Sequence, residues 1–409
     1  MILIKNINKL IGIMELPYSF KKGKALSLLE TIENAYLLIN NGKIDSYGTM
    51  DYCPQISATT IDASGKIVMP AWVDSHTHIV FPASREHEFI DKIRGLSYEE
   101  IAKRGGGILN SAKRMKFTDE SFLYDTAMQR LHEMVSMGTG AVEIKSGYGL
   151  DFENEIKMLR VIKKMKDNSP IPIKANFLGA HAFLPEYSEK KDAYVDEICQ
   201  NMIPHIADNG LADYIDVFCD KGFFTVPQTD KILKSGAKYG LKPKIHANEL
   251  DISGGVQVGV KNNAVSVDHL ERIGVEEIKV LSDSATVPTL LPGTSFFLKI
   301  PYAPARDMVD AGLGIALASD FNPGSSPSGN MNFIVSLACI YMKLLPEEAI
   351  NAATINAAYA LELQDVLGSI SIGKTANLII TNALDNIAQI PYYYGSDLID
   401  QVIISGEVY

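Results

Sequence analysis

His76 and His78 flank Thr77 just beyond the apolar run Ile67-Val68-Met69-Pro70-Ala71-Trp72-Val73. Residues two apart on an extended strand project the same way, so the run presents both imidazoles on one side of a stiff element. Two neutral imidazoles held side by side are half of a metal site. Only 8 of the 409 residues are histidine, and a random arrangement gives far fewer than one His-x-His pair.

Other histidines recur in equivalent places. His181 follows the apolar segment Ile173–Gly179, His246 ends Pro243–His246, His269 follows Ala264–Asp268, and Asp320 follows Gly314–Ala318. A hydrogen-bonded structural role is the blander reading for any one of them, but such roles predict scatter along the chain. His87, His132 and His205 have no such placement and read as surface or packing residues. A catalytic metal needs three or four protein ligands and an open position for water. His76, His78, His246 and Asp320 offer three nitrogens and one carboxylate, a set that suits Zn2+, iron or Mn2+. Such an ion brings the pKa of a bound water toward neutrality, and Asp320 could accept the water's proton and pass it to a leaving nitrogen.

The elements that must hold these groups are apolar strands. Besides Ile67–Val73 they are Gly140–Lys145, Ile173–Gly179, Tyr214–Cys219, Pro243–His246, Ala264–Asp268, Ala285–Leu291 and Gly314–Ala318. Most are separated by helix-compatible stretches, among them one opening at Thr118-Asp119-Glu120 and stopping near Gly138. Ser97-Tyr98-Glu99-Glu100 reads as a capping box for a short helix that Gly105-Gly106-Gly107 ends. Eight such βα units predict an α/β fold, a TIM-like (β/α)8 barrel with its active site at the C-terminal strand ends. Both chain ends instead carry short apolar runs and turn signals such as Asn40-Asn41-Gly42-Lys43, with Ala25–Ile32 the one helix-like stretch before residue 67. The expected organisation is a barrel over residues 67–361 and a small composite β-sandwich domain built from 1–66 and 362–409.

Composition narrows the function class. Hydrophobic residues make up 46% and charged ones 21%, and the formal net charge is -11. That charge argues against nucleic-acid or anionic-membrane partners and leaves a small molecule, which needs a local cation if it is anionic. Cys53, Cys199, Cys219 and Cys339 show no C-x-x-C spacing and are expected to be reduced and mostly buried. The apolar start, Met1–Leu10, is interrupted by lysines and reads as a strand, and no membrane span is evident, so a cytoplasmic protein is expected.

Asp62-x-x-Gly65, then Pro70 and Asp74 leading into His76-x-His78, with a late Ser319-Asp320, resembles the amidohydrolase superfamily. Gly368-Ser369-Ile370 and Gly373-Lys374-Thr375-Ala376-Asn377-Leu378 resemble its closing β segment, with Asn377 and Ala71 in place of the commoner Asp and Gly. Within the superfamily the imidazolonepropionase family is the nearer resemblance. It rests on Phe81–Glu86, Gly105–Leu109, Val142–Leu150, Phe177–Ala182, Lys244–Glu249, Asp268–Glu271 and Ala318–Pro327, with His87 and Phe321 as mild departures.

That resemblance implies hydrolytic opening of 4-imidazolone-5-propanoate to N-formimidoyl-L-glutamate, one Zn2+ or Fe2+/Fe3+ per subunit, and a homodimer. It also implies roles. Arg85, Tyr148 and His181 would bind the propionate, Glu249 the ring nitrogen and the water, and His269 the developing oxyanion. Asn322, Gly324 and Ser325 would contact the ring or the amino-acid portion, although Asn322-Pro323-Gly324 is also a plain turn sequence. Two-metal relatives use a carboxylated lysine on the fourth strand; Lys221 lies past that strand's end and reads as a loop residue, so one metal is expected. A cyclic amidine or nucleobase deaminase on the same scaffold is the alternative, and a catalytically silent metal-binding protein the third reading.

Overall fold

The computed structural model describes residues 1–15, 19–96, 100 and 106–409. Two eight-stranded sheets organise the chain. The first joins both ends: β1 (Ile2–Ile13), β2 (Glu30–Asn40), β3 (Lys43–Thr49), β4 (Thr59–Asp62) and β5 (Lys66–Pro70) with β14 (Leu378–Ala383), β15 (Ile399–Ile404) and β16 (Glu407–Val408). β1 pairs antiparallel with β2 and parallel with β4 and β5, while β14 runs antiparallel to β5. Alternate residues such as Ile4, Leu37, Val68, Leu378 and Ile403 bury one apolar face between them.

The second sheet is wholly parallel, in the order β6 (Trp72–Asp74), β7 (Thr139–Lys145), β8 (Ile173–Ala180), β9 (Tyr214–Cys219), β10 (Lys242–Ala247), β11 (Ser266–His269), β12 (Val287–Leu290) and β13 (Ala316–Leu317). Helices such as Glu120–Ser136, Phe152–Asn168 and Val226–Lys238 connect successive strands, which is the βα alternation of a (β/α)8 barrel. The ring closes at its functional end. Asp320 N–H donates to His76 O at 3.0 Å, His78 N–H donates to Phe321 O at 2.9 Å, and Ser319 N–H donates to Asp74 Oδ1 at 2.9 Å.

Three expectations are corrected. The apolar run 67–73 is not one barrel strand: Lys66–Pro70 belongs to the first sheet and only Trp72–Asp74 to the barrel. The chain changes sheets at Ala71, whose N–H donates to Asn377 O, while Trp72 N–H donates to Gly138 O, both at 2.9 Å. Both sides of the crossover are buried, so hydropathy never marks it. Ala25–Ile32 forms no helix beyond a single 3-10 turn, Gly23–Ser27, before β2 starts. The cysteines are unpaired as expected, but only Cys219 is buried. The expected capping box at Ser97–Glu100 and Gly105 lies outside the described residues except for Glu100, and Gly107 caps the helix Ile108–Lys116 at its start.

Asn377 accounts for one departure from the family pattern. Its Nδ2 donates to Gly140 O at 2.8 Å and its Oδ1 accepts from Ser405 N–H at 2.7 Å, tying barrel to terminal sheet. An aspartate could accept but not donate there. No helix among the described residues is long and apolar enough to cross a membrane.

Candidate active site

The C-terminal strand ends converge on a cavity of about 210 Å3 lined by His78, Arg85, Tyr148, His181, His246, Glu249, His269, Asp320, Asn322, Gly324 and Ser325. Every site residue expected from sequence is there except His76, which lies fully buried just beneath. The cavity suits a small molecule rather than a polymer.

Two trios of side chains are close enough to hold a metal ion, and they share His76: His76, His78 and Asp320, and His76, His246 and His269. Within each, the ligand atoms lie within 4.8 Å of one another. Asp320 Oδ1 stands 3.5 Å from His76 Nε2 and 3.6 Å from His78 Nε2. His76 Nδ1 meets Asp268 Oδ2 at 2.6 Å, and His246 Nδ1 meets Asp216 Oδ1 at 3.0 Å. A carboxylate on Nδ1 fixes the proton there and leaves Nε2 bare. Both Nε2 atoms are buried without a hydrogen-bond partner. Orphaned lone pairs of this kind are costly unless a cation meets them, so the donor set fits a metal ion. Burial, then the charge of Lys145 on His76 and the neighbouring His181 on His78, holds both imidazoles well below the ordinary pKa, in the neutral form a ligand needs.

Beneath these imidazoles lies a charged layer that the sequence reading missed. Glu143, Lys145, Asp216, Lys244 and Asp268 are fully buried in the barrel interior. Lys145 Nζ donates to Glu143, to Asp216 Oδ2 at 2.8 Å and to Asp268 Oδ2 at 3.4 Å, and Lys244 Nζ donates to Glu143. Lys145 therefore binds both carboxylates that orient His76 and His246. Burial alone would push its ammonium toward neutrality; Asp216, Glu143 and Asp268 outweigh that and raise its pKa. The available signal was a set of charges inside apolar strands, at positions such as 143 and 145 that share a strand face.

His269 stands between two carboxylates, Glu249 Oε2 at 3.8 Å from its Nε2 and Glu271 Oε1 at 3.5 Å from its Nδ1. Burial opposes its protonation, but Glu249 and Glu271 outweigh it and raise the pKa to about 10. Burial likewise raises Glu249, against the attraction of His269. Glu271, with its buried side chain, is a second group missed from sequence. Asp220 collects N–H bonds from Glu249 and Leu250, each 2.9 Å, and so shapes the Glu249 loop. Lys221 is exposed and pairs with Asp251 at 3.0 Å, away from the cavity. His269, Leu270, Asn248, Leu150 and Asp320 all have positive φ, a clustering of backbone strain typical of functional sites.

The substrate-side residues differ in detail from expectation. Gly147 and Gly149 do mark close approach, but by the protein itself. A Cβ on Gly149 would stand 2.3 Å from Glu155 N, and one on Gly147 2.8 Å from His181 Nδ1. The buried Glu155 carboxylate accepts N–H bonds from Gly147, Gly149 and Leu150 at 3.1, 2.7 and 2.9 Å, fixing the loop that carries Tyr148. His181 Nδ1 donates to Gly147 O at 3.0 Å, and burial lowers its pKa to about 3. Its Nε2 is thus an acceptor. The Asn322 amide is spent on its own loop: Nδ2 donates to Asp320 O and Ser325 Oγ, and Oδ1 accepts from Gly324 and Ser325 N–H.

Arg85 Nε donates to Glu88 Oε2 at 2.9 Å and its Nη2 to the same oxygen at 2.5 Å, while Glu88 Oε1 accepts from Gly107 N–H at 2.9 Å. Nη1 packs on Gly324, where a Cβ would come within 2.2 Å of it. Because Glu88 pins the guanidinium, G324A should displace the fork and raise KM by about 10- to 100-fold with little change in melting temperature; an unchanged KM would contradict this packing.

Comparisons with known proteins agree with this architecture. The Amidohydrolase family model matches residues 67–409. The imidazolonepropionase of Flavobacterium johnsoniae is 56% identical over 99% of both chains, and that of Christiangramia forsetii 53% identical over 100% of this chain and 99% of its own. That of Geobacillus thermodenitrificans is 43% identical over 93% and 91%. Among solved structures, a 5-methylcytosine deaminase from Klebsiella pneumoniae superposes with a TM-score of 0.75 at 16% identity, covering 98% of this chain and 97% of its own. An adenosine deaminase from Xanthomonas campestris with bound zinc gives 0.72 at 17%, covering 100% and 92%. These two share the fold. By its family match and its near full-length relatives, the chain belongs to the amidohydrolase family, in its imidazolonepropionase branch.

Proposed function

We propose that the protein hydrolyses the cyclic amide of 4-imidazolone-5-propanoate to N-formimidoyl-L-glutamate, a step of histidine degradation. The observation that carries this is a single small cavity with hydrolytic groups at one end and a fixed guanidinium at the other. His76, His78, His246 and Asp320 would hold one zinc or iron ion. When bound, that ion supplies a polarised water and a Lewis acid near the carbonyl.

The chain's own groups do the rest. Asp320, desolvated beside His76 and His78, accepts a proton from the attacking water at its carboxylate and returns it to the ring nitrogen as the carbonyl carbon–nitrogen bond breaks. His269, flanked by the Glu249 and Glu271 carboxylates that favour its protonated form, donates to the carbonyl oxygen as charge develops on it. Glu249 binds the ring amidine. Arg85 Nη1 and the Tyr148 hydroxyl donate to the propionate, and His181, in its Nδ1–H form, accepts from a ring N–H. Asn322 and Ser325 keep the Asp320 loop in shape.

Fresh 4-imidazolone-5-propanoate added to metal-loaded protein should yield N-formimidoyl-L-glutamate; no turnover with stoichiometric metal bound would overturn the assignment. R85A separates this reading from a deaminase of neutral bases. It should lower kcat/KM by about 10²-fold or more through loss of the charge-assisted hydrogen bond from Nη1, whereas a deaminase would be indifferent to it.

A further inference from the structure

Among the described residues, the carboxylate end of the cavity is short of positive charge. Arg85 commits two of its three nitrogens to Glu88, and Glu88 is itself anchored by Gly107 N–H, so the pair is close to neutral and cannot swing apart freely. His181 presents an acceptor. Apart from His269 among the hydrolytic groups, one further cation lines the same cavity among the described residues: Lys92. It sits one helical turn beyond Glu88 on the helix Glu86–Ile93. Its Nζ donates to Gly324 O at 2.9 Å and lies 5.3 Å from the centre of the Phe297 ring. Gly324 is therefore flanked by Arg85 Nη1 and by Lys92 Nζ. The carbonyl takes one Nζ–H, which leaves two donors. Half-buried against an aromatic ring, this ammonium is less screened than a surface lysine.

Resting on the functional reading above, we propose that Lys92 is the second cation of the substrate-carboxylate subsite. It supplies the net positive charge, while the Arg85–Glu88 pair supplies the orientation. A carboxylate bound beside Gly324 accepts from Arg85 Nη1 with one oxygen and from Lys92 Nζ with the other. The division of labour is that of a rigid fork with a neighbouring point charge.

Binding of 3-(imidazol-4-yl)propanoate and of 4-ethylimidazole, measured by calorimetry, isolates the carboxylate, because the two ligands share the ring. In the parent protein the propanoate should bind more tightly. K92Q keeps a donor for Gly324 O but removes the charge, so it should reduce that preference by about 10-fold or more, with K92R retaining most of it and K92M behaving like K92Q. A preference unchanged within about twofold in K92Q, or an equal loss for both ligands, would overturn the proposal. Failure of both K92Q and K92M to fold would do so too, by making Lys92 part of the loop's architecture. Turnover of 4-imidazolone-5-propanoate by the parent protein is followed in parallel. Its absence alongside an intact, Lys92-dependent carboxylate preference would sink the reaction and leave the subsite standing.

Discussion

Replacing Asp320 with asparagine should lower kcat on 4-imidazolone-5-propanoate by at least about 10³-fold, while the chelator-treated variant stays folded and at least as heat-stable as its chelator-treated parent. Asparagine keeps the volume and can keep an oxygen for the Thr294 hydroxyl, which donates to Asp320 Oδ2. It cannot accept a proton at neutral pH, and its NH2 would face the bare Nε2 of His76 and the Nε2 of His78, 3.5 and 3.6 Å from the present Oδ1. Stability should move the other way for two reasons. Asp320 has φ +53°, a region asparagine tolerates better than most residues. Burial, only partly offset by His269, also raises the Asp320 pKa. A carboxyl whose pKa is higher folded than unfolded destabilises the fold as pH rises through the ordinary carboxylate range toward the folded value. The gain from D320N in chelator-treated protein should therefore be absent at low pH and fully present above the folded pKa. Melting curves across pH, with steady-state rates, check both halves; a variant with parental kcat would remove Asp320 from the chemistry.

Sequence legibility followed the direction of burial. The barrel strands announce themselves as apolar runs, and groups just past their C-terminal ends must share a rim, so His76, His78, His181, His246, His269 and Asp320 were readable as one set. The crossover at Ala71 was not, because Pro70 and Trp72 are buried alike in two different sheets. The charged layer was hidden for another reason. Lys145 and Asp268 are partners across 123 residues, and a lone charge in a strand looks the same whether it faces solvent or a sealed interior. Glu88 and Lys92, four apart on a helix, read as an ordinary solvated face until Gly324, 232 residues onward from Lys92, is brought against them. The acceptor state of His181 depends on a single carbonyl, that of Gly147, which no residue pattern encodes.

The hidden layer carries the second large effect. K145M should weaken metal binding by about 10- to 100-fold, as loss of outer-shell partners does elsewhere, and destabilise the fold by about 3–5 kcal/mol. In the parent, three buried carboxylates face two buried ammonium groups, and any remaining negative charge lies under His76 and His246. Methionine fills the space but leaves Glu143, Asp216 and Asp268 with Lys244 alone. The layer must then take up protons or open to water. A proton on Asp268 or Asp216 is the damaging outcome, because the neutral carboxyl donates to Nδ1 of His76 or His246 and drives the imidazole proton onto Nε2, the atom that faces the cation site. The defect thus reaches the ligands through tautomer and not through position. K145R, which keeps the charge but must fit a larger planar group into a close-packed interior, should fold poorly while retaining more metal affinity per folded molecule than K145M. Chelator-competition titration of the metal, read beside melting curves, separates these effects without reference to turnover. Parental metal affinity in folded K145M would show that the layer serves stability alone.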